Sequence, residues 1–260
     1  MRLVIITITY NNLNGLMKTN ESLEVQSDQD YIQIVIDGGS TDGTSNYVKN
    51  MRERASFYYA SERDKGIYDA MNKGLLKYKS LASNNNDYIL FLNSGDYLYS
   101  KESIKNIKEK LIDLDSDLLL FDVYEDIYGK LYYKKSRDKD WIPKGMPTSH
   151  QAMLFNSNIF KEYKFDDGMR FSGDYDLVCY CYINNKNIKK TNKAVSVFDK
   201  TGVSEVNRIQ ALKENYVVRR KTLKMSFLNS IFLYFIHYIH TKLKIYLPGF
   251  TRYLRGLTRE

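Results

Sequence analysis

The chain has 260 residues, 43% of them hydrophobic, which suits one large domain or a domain with an appendage. Its net charge of +8 is unevenly spread: residues 1–185 carry 23 Lys and Arg against 27 Asp and Glu, and residues 186–260 carry 16 against 4. The basic character belongs to the tail, and the mildly acidic body argues against nucleic acid as a partner.

The first segment, RLVIITITY (2–10), is a β-branched run of the kind buried on both faces of a parallel sheet. It lacks the cleavage site of a signal peptide. A helix is expected from about Leu13 to Ser27, and YIQIVIDGG (31–39) reads as a second strand. STDGTSNYVKNMRER (40–54) opens with N-capping residues and turns helical. SFYYASERDKG (56–66) is a third strand with its loop, IYDAMNKGLLKYK (67–79) a helix, and DYILFLN (87–93) a fourth strand. Strand and helix thus alternate as in βαβ units, which predicts an α/β fold with helices on both faces of the sheet. Ligands of such sheets bind beyond the carboxyl ends of the strands. Four of those ends are polar here: Thr9-Tyr10-Asn11, Asp37-Gly38-Gly39-Ser40, Glu62-Arg63-Asp64-Lys65 and Asn93-Ser94-Gly95-Asp96.

The second half is less regular. A helix is expected over 101–114, and 116–135 reads as strand, turn at Tyr128-Gly129, strand. The polar loop 136–151 contains Trp141 and His150, and the strand AMLFN follows. FSGDYDLVCYCYIN (171–184) reads as a helix start, KAVSVFD (193–199) as a short strand, TGVSEV as a loop and 204–224 as a basic helix. Cys179 and Cys181 are too close on one segment to bridge each other and read as free thiols of a reducing cytoplasm.

Neither GxGxxG nor GxxxxGK[ST] is present, so dinucleotide and P-loop chemistry are unsupported. Acidic strand ends suit a nucleotide whose diphosphate is carried by a hard divalent cation. The motifs ITITYNN (5–11), VIDGGSTDGT (35–44), ERDKGIYDAMNKG (62–74), FLNSGD (91–96) and GDYDL (173–177) resemble, in that order, those of family 2 glycosyltransferases. The resemblance covers about residues 1–200 and is nearest to bacterial members that build surface polysaccharides. It implies a GT-A fold, a Rossmann-like mixed sheet flanked by helices, and an inverting transfer from a nucleotide-sugar donor, a UDP-sugar first among them.

By that resemblance, Thr9, Tyr10 and Asp37 hold uracil and ribose, and Asp64 and Lys65 flank the nucleotide, with Lys65 able to meet phosphate. Asp42 caps the helix after the second strand, and Asp69 and Asn72 brace the Asp64 loop from behind. In NSGD, Asn93 and Gly95 replace the family's earlier acids. Asp96 remains as the ligand of Mn²⁺ or Mg²⁺, and Gly95 lets the backbone approach the diphosphate. Asp174 is the candidate general base, with Asp176 as runner-up facing another side of the helix; Gly173 replaces the usual preceding acid. His150 contacts the diphosphate or acceptor, or else is structural.

The apolar stretch 226–250 is flanked by Arg219, Arg220, Lys221, Lys224, Lys242, Lys244, Arg252, Arg255 and Arg259. Its cleanest run, Ser230 to Ile239, falls short of the roughly 20 residues of a membrane span. An amphipathic helix on an anionic inner leaflet fits, as does packing on the domain or a dimer contact. The reading is a catalytic domain over 1–203 and a basic helical region over 204–260. The expected enzyme acts on a saccharide or lipid-linked saccharide at the cytoplasmic face of the membrane. The alternatives are a nucleotidyltransferase and a non-catalytic membrane-associated adaptor.

Overall fold

Strand β1 (Leu3–Thr9) is buried along its whole length because parallel neighbours pair with both of its edges, β2 (Tyr31–Asp37) on one and β4 (Tyr88–Phe91) on the other. This computed structural model describes residues 1–49, 51, 56–81, 86–200 and 207–246. The expected loop 201–206, the end of the 40–54 helix beyond Met51 and the chain after Tyr246 lie outside those residues.

Alternation along β1 feeds two cores. Val4, Ile6 and Ile8 pack with Tyr68, Met71 and Leu75 of α3 (Ile67–Ser80), together with Leu177 and Cys181 of α6 (Gly173–Ile183). Leu3 and Ile5 join Leu23 of α1 (Leu13–Glu24) and Ile104, Ile107 and Leu111 of α4 (Ser103–Leu114) on the other face. This period of two is what a strand covered by helices on both sides requires. Helix α2 (Thr44–Lys49) leads towards β3 (Phe57–Ser61), which pairs with β2 in parallel.

The second half makes the sheet mixed. The order is β3-β2-β1-β4-β8-β6-β9-β5, with β7 also paired to β6. Here β5 is Tyr97–Leu98, β6 Leu118–Ile127, β7 Lys130–Lys134, β8 Met153–Asn156 and β9 Ile188–Asp199. β8 runs antiparallel to β4 and to β6, so the polar segment before it returns to the carboxyl end of β4. β9 starts five residues before the expected 193, since its polar first half pairs with buried Leu118–Leu120 of β6. β5 has no sequence signal of its own. It forms because Tyr97 and Leu98 meet Val197 and Ser196 of β9.

After the four-residue α5 (Ile159–Glu162) and α6 come α7 (Arg208–Lys221) and α8 (Phe227–Tyr246). α7 packs against α6, and α8 against α7. Both expected free thiols, Cys179 and Cys181, are buried in α6, where burial pushes each thiol pKa up, Cys181 to about 12.

Candidate active site

The carboxyl ends of β1, β2 and β3 build the first wall. Asp37 ends β2 fully buried. Its Oδ1 accepts from the Ser40 hydroxyl and amide; its Oδ2 accepts from Ser61 Oγ at 2.7 Å and Tyr59 Oη at 3.1 Å. Ser40 thus ties this carboxylate to the Asp37–Ser40 turn, and Tyr59 and Ser61 tie it to β3. Asn11, in the left-handed region at φ 46, locks the same turn by accepting from Thr41 N at 2.8 Å. Asp42 accepts from Leu13 N and from Thr44, so it caps α1 as well as the expected α2.

Asp64 is placed differently. Its Oδ1 accepts from Gly66 N at 3.0 Å. Its Oδ2 lies so near Gly38 that a β-carbon there would sit 2.5 Å from it and 3.2 Å from the Tyr10 ring. Partial burial raises the Asp64 pKa, against the opposing effect of the Gly66 amide. Tyr10 is 64% exposed. An open aromatic face and a carboxylate oxygen therefore flank Gly38. Thr9 is buried, and its hydroxyl has no hydrogen-bond partner. Lys65 points away to an exposed ion pair with Asp167 at 3.0 Å, while its amide donates to Asp69. Asn72 braces from further back by bonding both the amide and the carbonyl of Phe165.

The end of β4 holds the second cluster. Gly95 has φ +104, a conformation that L side chains rarely adopt. Its N–H is already taken by Gly15 O at 3.1 Å and Thr19 Oγ1 at 3.0 Å. The glycine thus serves a turn pinned to α1, and its amide is not free for a phosphate. The turn delivers Asp96 into a buried position, where Oδ1 accepts from Asp199 N at 3.1 Å and Gln151 Nε2 at 3.3 Å. Burial, then the nearby Asp199 charge, raises the Asp96 pKa to about 8, against the effect of the Asp199 amide.

Three sequence candidates converge on His150. Its Nε2 lies 2.9 Å from Asn93 Nδ2 and 3.8 Å from Asp96 Oδ2, and its Nδ1 lies 3.7 Å from Asp174 Oδ2. With the Asn93 amide donating, Nε2 accepts and the ring proton sits on Nδ1, towards Asp174. Burial lowers the His150 pKa, so the neutral ring is favoured. Asp174 Oδ1 accepts from Tyr175 N at 2.8 Å and Tyr68 Oη at 3.3 Å. Burial raises the Asp174 pKa, and His150 opposes that rise. Gly173 stands where the resemblance has an acid because the Tyr68 ring would lie 2.8 Å from any β-carbon there. Asp176 faces away and is held by Tyr163 at 2.8 Å and by Thr222.

Sequence reasoning missed the supports from α7. Glu214 accepts from three successive amides, Arg170, Phe171 and Ser172, at 2.8–3.0 Å, just ahead of Asp174. Arg219 is fully buried, and its guanidinium donates to the carbonyls of Pro143 and Lys144. The basic helix thus grips both the segment that leads into Asp174 and the loop before His150. Only a helix with a lone acid among bases hinted at this. Trp141 is stacked under Arg137 at 3.6 Å.

Comparisons with known proteins bear on the family and the fold. The profile of the family described as "Glycosyl transferase family 2" matches residues 4–177. An uncharacterized glycosyltransferase of Mycobacterium tuberculosis is 37% identical over 108 residues, covering 41% of this chain and 38% of that protein. The chain thus aligns with well under half the length of this relative. Two solved structures share the fold. Staphylococcus aureus TarS 1–349 in complex with UDP has a TM-score of 0.65 at 19% identity, over 90% of this chain and 70% of that one. The mannosyltransferase PcManGT of Pyrobaculum calidifontis, with GDP-Man and Mn²⁺, has a TM-score of 0.67 at 12% identity, over 99% and 79%. With five motifs in order along a GT-A sheet and a family profile over two thirds of its length, this chain belongs to glycosyltransferase family 2.

Proposed function

We propose that the enzyme moves a sugar, with inversion, from a nucleotide-diphosphate donor to a hydroxyl of a saccharide or lipid-linked saccharide. A UDP-sugar is the first choice, since TarS is seen with UDP, although PcManGT is seen with GDP-Man. The setting proposed is assembly of a bacterial cell-surface polysaccharide at the inner face of the membrane.

The observation that carries this reading is the line Asp96, His150, Asp174 at the carboxyl end of β4. Asp174 sits at the start of α6 with Oδ1 fixed by two donors, leaving Oδ2 to take the acceptor proton. Its raised pKa makes it a better base than an exposed carboxylate. Tyr10 offers a ring face to the nucleobase and Asp64 Oδ2 an acceptor for a ring N–H, while Asp37 shapes the turn between them.

The residues around Asp96 fit a hard divalent cation. Among the described residues Asn93 Oδ1 and Gln151 Oε1 are buried without hydrogen-bond partners beside the Asp96 carboxylate, so oxygen atoms dominate the donor set. Among the described residues no three His, Cys, Asp or Glu side chains form a ready metal cluster. Asp96 would hold the ion, with Asn93 beside it and the donor's diphosphate completing the shell. When bound, the ion neutralises charge on the departing nucleotide.

Calorimetry with UDP, with and without Mn²⁺, tests the donor side; metal-enhanced binding should vanish in Asp96→Ala. Asp174→Asn tests the base: transfer should fall by about 10²–10⁴-fold with UDP affinity unchanged. Full transfer by that variant would overturn the assignment.

A further inference from the structure

Helix α8 turns Tyr234, which meets Tyr216 of α7, and several polar side chains towards the body. Ser230 and Thr241 are buried, and His237 lies 3.5 Å from the buried Arg219 guanidinium. Residues 230, 237 and 241 are seven and four apart, so these polar side chains share the face turned to the body. Leu228, Phe232, Phe235, Ile239, Leu243 and Tyr246 recur at intervals of three and four on the opposite face, and each is 38–73% exposed. A helix facing water has the reverse pattern, and an apolar stripe of this extent marks an interaction surface.

The charge around the stripe selects its partner. Residues 207–246 contain eight Lys and Arg against one Glu. Arg220, Lys221 and Lys224 are exposed just before the helix. Lys242 borders the stripe, its Nζ 5.4 Å from the Tyr246 ring and 5.5 Å from the Tyr238 ring, with the stem along apolar surface and the ammonium at its edge. Two copies meeting through this face would bring like charges together, whereas an anionic surface would neutralise them. Among the described residues no helix is long and apolar enough to cross a membrane. The 20-residue helix, about 30 Å long, instead has the form of one lying in a bilayer interface.

We infer that α8 docks on an anionic lipid bilayer, with the Leu228–Tyr246 stripe in the acyl boundary and the flanking bases at the headgroups. The inference takes from the proposed function only its inner-membrane setting. Its experiment reads lipid binding rather than transfer, so the two can fail separately. The full chain is sedimented with phosphatidylcholine vesicles and with phosphatidylcholine–phosphatidylglycerol vesicles. Binding to the anionic vesicles alone, weakened by salt, is expected, and Phe232→Glu/Phe235→Glu should lower it by at least about tenfold. Far-ultraviolet dichroism and the thermal melt of the variant check that it is folded. Wild-type protein that ignores anionic vesicles, or a folded variant that binds them as well, would overturn the proposal. So would light scattering that shows a dimer split by the same substitutions without any lipid binding: a second copy would then cover the stripe.

Discussion

The two walls of the site are held in different ways. The proposed nucleotide side, at the ends of β1, β2 and β3, is fixed by hydrogen bonds among those neighbouring strand ends. Asp37 is held by Ser40 three residues on and by Tyr59 and Ser61 of the adjacent strand. The proposed transfer side, His150 and Asp174, is fixed in part from afar: Glu214 and Arg219 of α7 hold segments up to 76 residues away. A wall fixed by neighbouring strand ends keeps its chemical groups and most of their supports within a short stretch of sequence. A wall fixed at long range leaves a sequence trace in its chemical groups but none in their supports.

Removing the group between the two carboxylates is the strongest way to break this contrast. In His150→Gln, kcat should fall by about 10²-fold. Because a protonated His150 opposes the rise in the Asp174 pKa, its loss should move the acid limb of the rate profile to higher pH. Activity should therefore suffer more at pH 6 than at pH 8, with UDP affinity little changed. A uniform loss at every pH would make His150 structural only.

The next test is at the remote support. Glu214→Gln leaves three amides sharing a weaker acceptor and should let the start of α6 shift. We expect kcat to fall about tenfold with donor affinity unchanged, and partial recovery in Glu214→Asp. Equal losses in kcat and donor affinity would show a general loosening instead.

Asp96 gives a sign that stability measurements can check. Its pKa in the folded protein, about 8, lies above its ordinary 3.8 because burial disfavours the charged form. Such a group stabilises the fold below about pH 4, and that contribution is lost as pH rises through 8. In metal-free protein, denaturant unfolding should show the wild type weakening relative to Asp96→Asn between pH 5 and pH 9, by a few kcal/mol. A constant difference would mean that the carboxylate stays ionised throughout.

These contrasts explain what could be read from the chain. The parallel half was legible because β1, β2 and β4 are buried on both faces and so are continuously apolar. Asp37, Asp96 and Asp174 stood out because carboxylates at strand and helix ends are chemically conspicuous. β5 and the first half of β9 were not legible, since Tyr97-Leu98 and the polar Ile188–Lys193 become strands only through their partners. The internal bonding of Asp37 was hidden too. An acid after a strand looks the same in sequence whether it faces a ligand or three neighbours.

Lys65 offers the smallest effect, and it tests where the nucleotide wall ends. The resemblance implies a phosphate contact, yet its ammonium pairs with Asp167 on an exposed edge. That pairing raises the lysine pKa, but a pair screened by solvent contributes little to stability. The loop itself is held by main-chain bonds, Lys65 N to Asp69 and Gly66 N to Asp64, which Lys65→Ala leaves intact. The melting temperature should therefore stay within about 2 °C of wild type, and UDP affinity within about twofold. A drop of tenfold or more in affinity, with the melt unchanged, would mean that the lysine leaves Asp167 and swings to the diphosphate when the donor binds. The nucleotide wall would then extend beyond the turn that Asp37 shapes, and Asp167 would be the group that holds the lysine back until the donor arrives.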